Sequence, residues 1–135
     1  MRRYQQLSVW QRAMDLAPLV YTLTGKFPES EKFGLSQQMR RAAVSIASNI
    51  AEGAGRGSDK EFIRFLRIAQ GSLQELETQT LLAARLGFTT DTQSIHDDME
   101  RLYAMISKLT HALSASSTQS VRRQTSDVRP QKEQP

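Results

Sequence analysis

The sequence predicts an all-α protein: an antiparallel up-and-down four-helix bundle with a disordered C-terminal tail. Three observations predict it. Apolar residues return every three or four positions in four separate stretches, the period of a helix with one buried face. No stretch alternates apolar and polar residues as a half-buried strand does. Each periodic stretch is followed by glycine, proline or a short polar connector, so consecutive helices are antiparallel neighbours. The bundle is expected over residues 1–115 and the tail over 116–135.

The elements follow in order. Residues 1–7 read as a short polar arm. Ser8, with Gln11 three positions on, reads as a capping box that starts the first helix. One apolar line then runs Val9, Ala13, Leu16, Val20, Leu23, Phe27. A second runs Trp10, Met14, Ala17, Tyr21. Together they make a wider face than one bundle seam uses. Pro18 removes a backbone donor inside this helix and predicts a kink, and Phe27-Pro28 is expected to end it. The connector PESEKFGL is expected to tuck Phe33 and Leu35 under the bundle end. The second helix is expected from Ser36 to Ala54, with Met39, Ala42, Ala43, Ile46, Ile50 and Gly53 on one face. Its many alanines let a neighbouring backbone come close. Glycines at 53, 55 and 57 then allow a tight turn.

Ser58 and Glu61 form a second expected capping box. The third helix has the clearest period, Phe62, Leu66, Ala69, Leu73, Leu76, Thr80, Ala83, the four-three spacing of a coiled-coil seam. Gly87 reads as its left-handed stop. The fourth helix, from about Thr90 to Thr92, repeats the spacing at Ile95, Met99, Leu102, Ile106, Leu109 and Leu113. Beyond Ser114 the chain is serine, threonine, glutamine, arginine and proline, too poor in apolar groups to offset the entropy of ordering. These helices, of roughly 18 to 28 residues, span about 27 to 42 Å each.

Composition narrows the function. The chain has 135 residues, 39% hydrophobic and 24% charged, and no cysteine. Disulfides and thiolate metal sites are therefore excluded. No signal-peptide core opens the sequence, and no apolar run reaches the roughly 20 residues that span a bilayer. A cytoplasmic protein with no membrane partner is expected. The net charge is +4 with a pI of about 9.8. Arg122, Arg123, Arg129 and Lys132, against Asp127 and Glu133, place half of that excess in the tail. The bundle itself is only mildly basic, so the total alone says little about nucleic acid.

The turn GAGRGSDK lacks the strand and the Lys-Ser/Thr of a phosphate loop and reads as a helical hairpin turn. His96, Asp97, Asp98 and Glu100 lack the Glu-x-x-His pattern of bundle metal sites and read as an acidic helix start. No serine has a base to partner it. No catalytic residue, metal or cofactor is expected, and the protein is read as not an enzyme. Ser45, Asn49 and Glu52 form a polar stripe facing Ser72, Glu75 and Gln79, read as a hydrogen-bonded network that fixes helix register. Trp10, Met14, Ala17 and Tyr21 are the candidate oligomer interface. Lys60, Arg64 and Arg67 share a face at i, i+4, i+7. With Arg40, Arg41 and Arg56 they are the candidate nucleic-acid contacts, expected to gather near one end of the helix 2–helix 3 hairpin. Arginine outnumbers lysine among them, and its planar fork suits phosphate.

The blocks VWQRAMDL, FPESEKFGL, QMRRAAVSIASNIAEGAGRGSDKEF and FLRIAQGSLQELETQ, in that order, resemble the 23S rRNA-intervening-sequence proteins over roughly Leu7 to Leu113. The resemblance implies an up-and-down bundle that assembles as a homopentamer and has no established activity. A similar bundle is the accessory protein of diversity-generating retroelements, which implies nucleic acid and a reverse transcriptase as partners. Pro18 and the long basic tail depart from the family pattern. The reading is an oligomeric accessory or scaffold protein binding RNA or DNA without strong sequence preference. The alternative is a protein-interaction scaffold that docks an acidic partner.

Overall fold

A computed structural model describes residues 2–128, with side chains described through residue 116. A 3₁₀ turn, Arg3–Gln6, leads into four helices: α1 Ser8–Thr24, α2 Leu35–Ala54, α3 Asp59–Arg85 and α4 Gln93–Val128. A second 3₁₀ turn, Glu29–Glu31, joins α1 to α2. There is no strand among the described residues. The fold is the expected antiparallel up-and-down bundle. The expected tail, residues 116–135, falls on residues whose side chains from 117 and whose backbone from 129 lie outside the described structure.

The core is the seam the periodicity outlined. Met39, Ile46 and Ile50 of α2 meet Leu66, Leu73 and Leu76 of α3 and Met99, Leu102 and Ile106 of α4, all essentially inaccessible to water. Each such side chain contributes roughly 1.5–3 kcal/mol by leaving water. Exposed ion pairs contribute about 0–1 kcal/mol each, so the seam and not the surface charge holds the helices together. The α2–α3 pair is the most extensive contact in the bundle, as the alanine-rich face of α2 allows. Gln70 ties α3 to α4, its Nε2 donating to Ser107 Oγ at 2.7 Å.

The turns are made by the residues that suit them. Gly57 and Gly87 adopt positive φ, +84° and +79°, where a Cβ would be strained. After α3, Gly87 N donates to the Ala84 carbonyl and Phe88 N to the Ala83 carbonyl. Those two bonds complete a Schellman motif. Phe88 then packs on Phe27 with ring centres 5.6 Å apart, closing that end of the bundle. At the start of α3 the Ser58 hydroxyl accepts from the Glu61 backbone N–H at 3.2 Å. The Glu61 carboxylate does not reach back; it is taken by Arg64.

Three local expectations are corrected. Ser8 is not a cap but the first helical residue; the N-cap is Leu7, in an extended conformation. The arm before it is a 3₁₀ turn, which brings the Gln5 carbonyl over Gln11, whose Nε2 donates to it at 2.9 Å. Helix α1 stops at Thr24, ahead of Phe27-Pro28, because the chain turns at Gly25 with bonds back to Tyr21 and Leu23. Phe33 is 81% exposed, with the Lys32 ammonium 5.6 Å from its ring centre; only Leu35 of that pair is buried. As the sequence places it, Pro18 falls within α1, and it lies on the helix's exposed side. There the Met14 carbonyl, deprived of its helical donor, is within reach of water.

Candidate nucleic-acid interface

The six candidate cations do not form one cluster. Arg40 and Arg41 sit on the second turn of α2, and Arg56 follows its last turn. At roughly 1.5 Å per residue, about 20 Å of helix separates them. Arg40 and Arg41 therefore lie toward the opposite end of the α2–α3 hairpin from Arg56, Lys60 and Arg64. The sequence suggests one patch because it pairs the helices without showing how far each residue lies from the turn.

Each cation has a distinct environment. Arg40 is half-buried and committed to α1. Its Nε donates to Thr24 Oγ1 at 2.8 Å and its Nη2 to the Tyr21 carbonyl at 3.2 Å. Its guanidinium also lies 4.6 Å from the centre of the Tyr21 ring. It thereby occupies carbonyl and hydroxyl groups at the C-terminal end of α1, a position that favours a cation. Arg56 pairs with Glu52 at 3.0 Å, and Arg64 donates two hydrogen bonds to the Glu61 carboxylate, from Nε and Nη2, both at 3.1 Å. Both guanidiniums also lie over the Phe65 ring, at 5.0 and 4.5 Å. The bond from Arg64 holds the Glu61 carboxyl below its ordinary range, and Glu61 in turn raises the Arg64 guanidinium. Arg41, Lys60 and Arg67 are exposed and form no ion pair with a described residue.

The structure adds cations that sequence reasoning missed. Arg2, Arg3 and Arg56 line the same open depression of about 900 Å³. Nothing in the local pattern of residues 2 and 3 signals this, since the fold of the 3₁₀ turn against α1 and α2 is what delivers them.

The polar stripe divides. Ser45 Oγ and Ser72 Oγ share a hydrogen bond of 2.9 Å between α2 and α3, and Asn49 Nδ2 donates to the Ser45 carbonyl and hydroxyl at 2.8 and 2.9 Å. Glu52 is outside this group, turned to Arg56, and Glu75 is exposed. Gln79 is buried, and its Oε1 has no hydrogen-bond partner among the described residues. Along α1, Met14 and Tyr21 are exposed, whereas Trp10 and Ala17 rest partly against the core. Tyr21 joins Phe33, Val44 and Arg41 in lining an apolar groove of about 570 Å³ between α1 and α2. Among the described residues no group of three or more His, Asp or Glu side chains is placed to hold a metal ion. No described helix is long and apolar enough to cross a membrane.

The molecule is thus a four-helix bundle whose polar contacts organise helix packing and whose unpaired cations stand at the surface. The chain belongs to the 23S rRNA-intervening sequence protein family, which matches residues 5–111. It is also similar to a solved structure, a protein of unknown function from the S23 ribosomal protein family of Bacteroides thetaiotaomicron. The two share 26% identity with a TM-score of 0.70, over 76% of this chain and 95% of the other. A search of curated proteins finds no match.

Proposed function

We propose that the protein is a non-enzymatic, self-associating scaffold of the cytoplasm that binds RNA or DNA through surface arginines. The observation that carries this reading is the unpartnered apolar face of α1 and α2. Tyr21 is 44%, Val44 47% and Phe33 81% exposed around one groove, although the bundle's own seam is already closed. Apolar patches of that kind are covered by a partner surface, and a closed ring of identical copies covers them without leaving an open end. A homopentamer is the assembly proposed. Repetition around a ring multiplies the weak phosphate contacts that each copy's surface arginines can make. A reverse transcriptase is the kind of protein partner such a ring would accommodate.

Light scattering tests the assembly. A pentamer mass is expected, and Tyr21→Glu with Val44→Glu should reduce it to a monomer of unchanged helicity. A monomer mass for the unaltered chain at micromolar concentration would overturn the reading. Titration with RNA and DNA should show affinity that falls steeply with salt and varies little with sequence. A second reading, a scaffold that docks an acidic protein, is favoured by the pairing of Arg56 and Arg64 with carboxylates. It predicts a partner that a nuclease-treated lysate still yields.

A further inference from the structure

Two stretches distant in sequence converge at one end of the bundle. The 3₁₀ turn Arg3–Gln6 packs on α1 and α2, and places Arg2, Arg3 and Tyr4 beside the turn between α2 and α3. With Ser48, Glu52 and Arg56 they border the depression of about 900 Å³. Arg3 and Tyr4 also border a neighbouring crevice with Gly57, Ser58 and Asp59. We infer that this end of the bundle seats a short length of single-stranded nucleic acid, its phosphates on Arg2, Arg3 and Arg56 and one base against Tyr4. The inference rests on the nucleic-acid reading above and gives it a location and a ligand class.

Charge supplies the first argument. Arg2 and Arg3 are exposed and have no ion-pair partner among the described residues. The Arg56–Glu52 pair has about half of each side chain in solvent, so exchanging the carboxylate for a phosphate loses little. Lys60 stands exposed on the first turn of α3. Glu52 and Asp59 are the opposing charges at this rim, and the cations outnumber them. Arginine forks grip phosphate in two places.

Shape and chemistry supply the second. A concave depression between a 3₁₀ turn and a helical turn admits a flexible strand, whereas a duplex is a stiff convex rod. Tyr4 is half-buried, held edge-to-face by Trp10 at 5.3 Å, and it is among the residues that line the depression. An aromatic ring fixed in that way is a stacking platform that accepts any base.

The pair Tyr4–Trp10 also provides the readout, because Trp10 is the chain's single tryptophan. The test uses the full chain and one oligonucleotide sequence as single-stranded RNA, single-stranded DNA and duplex DNA, followed by anisotropy and Trp10 emission. Single strands should bind at least tenfold tighter than duplex and change the Trp10 emission with the same Kd. Arg2→Ala with Arg3→Ala should weaken binding about tenfold and lower the slope of log K against log salt by ~0.7 for each lost phosphate contact. Arg2→Lys with Arg3→Lys should restore the slope. Lys26→Ala with Arg85→Ala removes two cations at the other end of the bundle and should change affinity less than twofold. Arg2 engages Gln5 only through backbone atoms of its own, so these variants keep the fold, and unchanged melting confirms it. A larger loss from Arg41→Ala with Arg67→Ala than from the Arg2 and Arg3 variant would overturn the location and leave the nucleic-acid reading standing. Tighter duplex binding, or a silent Trp10, would overturn the ligand class or its seat. No binding by the unaltered chain to any of the three would overturn both.

Discussion

Gly53 of α2 lies so close to Phe65 of α3 that a Cβ built on the glycine would fall 2.5 Å from the Phe65 Cβ and 3.1 Å from Phe62 Cδ1. The atom in the way belongs to the first side-chain carbon of Phe65, which moves only with the α3 backbone. This contact sets how closely the hairpin closes, and Arg56 and Arg64 then lie over the ring it positions.

Gly53→Ala should therefore destabilise the bundle. Alanine is the better helix former by about 1 kcal/mol, but overpacking a closed contact costs roughly 1–3 kcal/mol, and a neighbour this rigid puts the result on the unfavourable side. Gly71→Ala is the matched control. Nothing lies within 4 Å of its built Cβ, so it should stabilise by about 0.5–1 kcal/mol. Urea unfolding of both variants checks the opposite signs; a stabilised Gly53→Ala would mean that the helices separate freely at this point.

Ser45 and Ser72 should be coupled. A double-mutant cycle to alanine should give an interaction of roughly 0.5–1.5 kcal/mol, the net worth of one hydrogen bond. Asn49 continues to donate to the Ser45 carbonyl in each variant, so the single losses should stay modest. A coupling near zero, measured by denaturant unfolding, would show that the α2–α3 register depends on the apolar seam alone.

Arg40 should behave as a structural residue. Arg40→Ala strips Thr24 Oγ1 and the Tyr21 carbonyl of a charged donor, at about 1.5–3 kcal/mol for a hydrogen bond to a charged group. Arg40→Lys should recover only part of this, because an ammonium cannot stack as a plane on Tyr21 while serving both acceptors. Thermal melting gives the ranking, and nucleic-acid affinity should not follow it.

The Glu61–Arg64 pair should give a small acid dependence. Glu61 is held below its ordinary range, first by the hydrogen bond from Arg64 and then by nearby Arg64, Arg56 and Lys60 charges. A carboxyl lowered on folding stabilises the protein above its unfolded pKa, and that contribution disappears as pH falls through the folded value. Glu61→Gln should therefore melt below the unaltered chain at pH 7, with the gap closing toward pH 3. The pair is at the surface, so added salt should narrow the gap as well. A gap that persists in acid would assign the loss to packing instead of charge.

The bundle is legible along the chain. Four stretches with helical period at Val9–Val20, Met39–Ile50, Leu66–Ala83 and Ile95–Ile106 can bury their apolar faces only against one another, and Gly57 and Gly87 mark turns that a Cβ resists. Periodicity is a local property, so it is written along the chain. The placement of polar and charged side chains was decided by tertiary structure. Arg40 and Arg64 look alike in sequence, yet one serves the end of α1 and the other a carboxylate on its own helix. Arg2 and Arg3 join Arg56 only because a 3₁₀ turn folds the arm back. Phe33 faces outward although its neighbour Leu35 is buried. A long side chain on a helix surface has several partners within reach, and which one it takes depends on the distances between elements, which no spacing along the chain records.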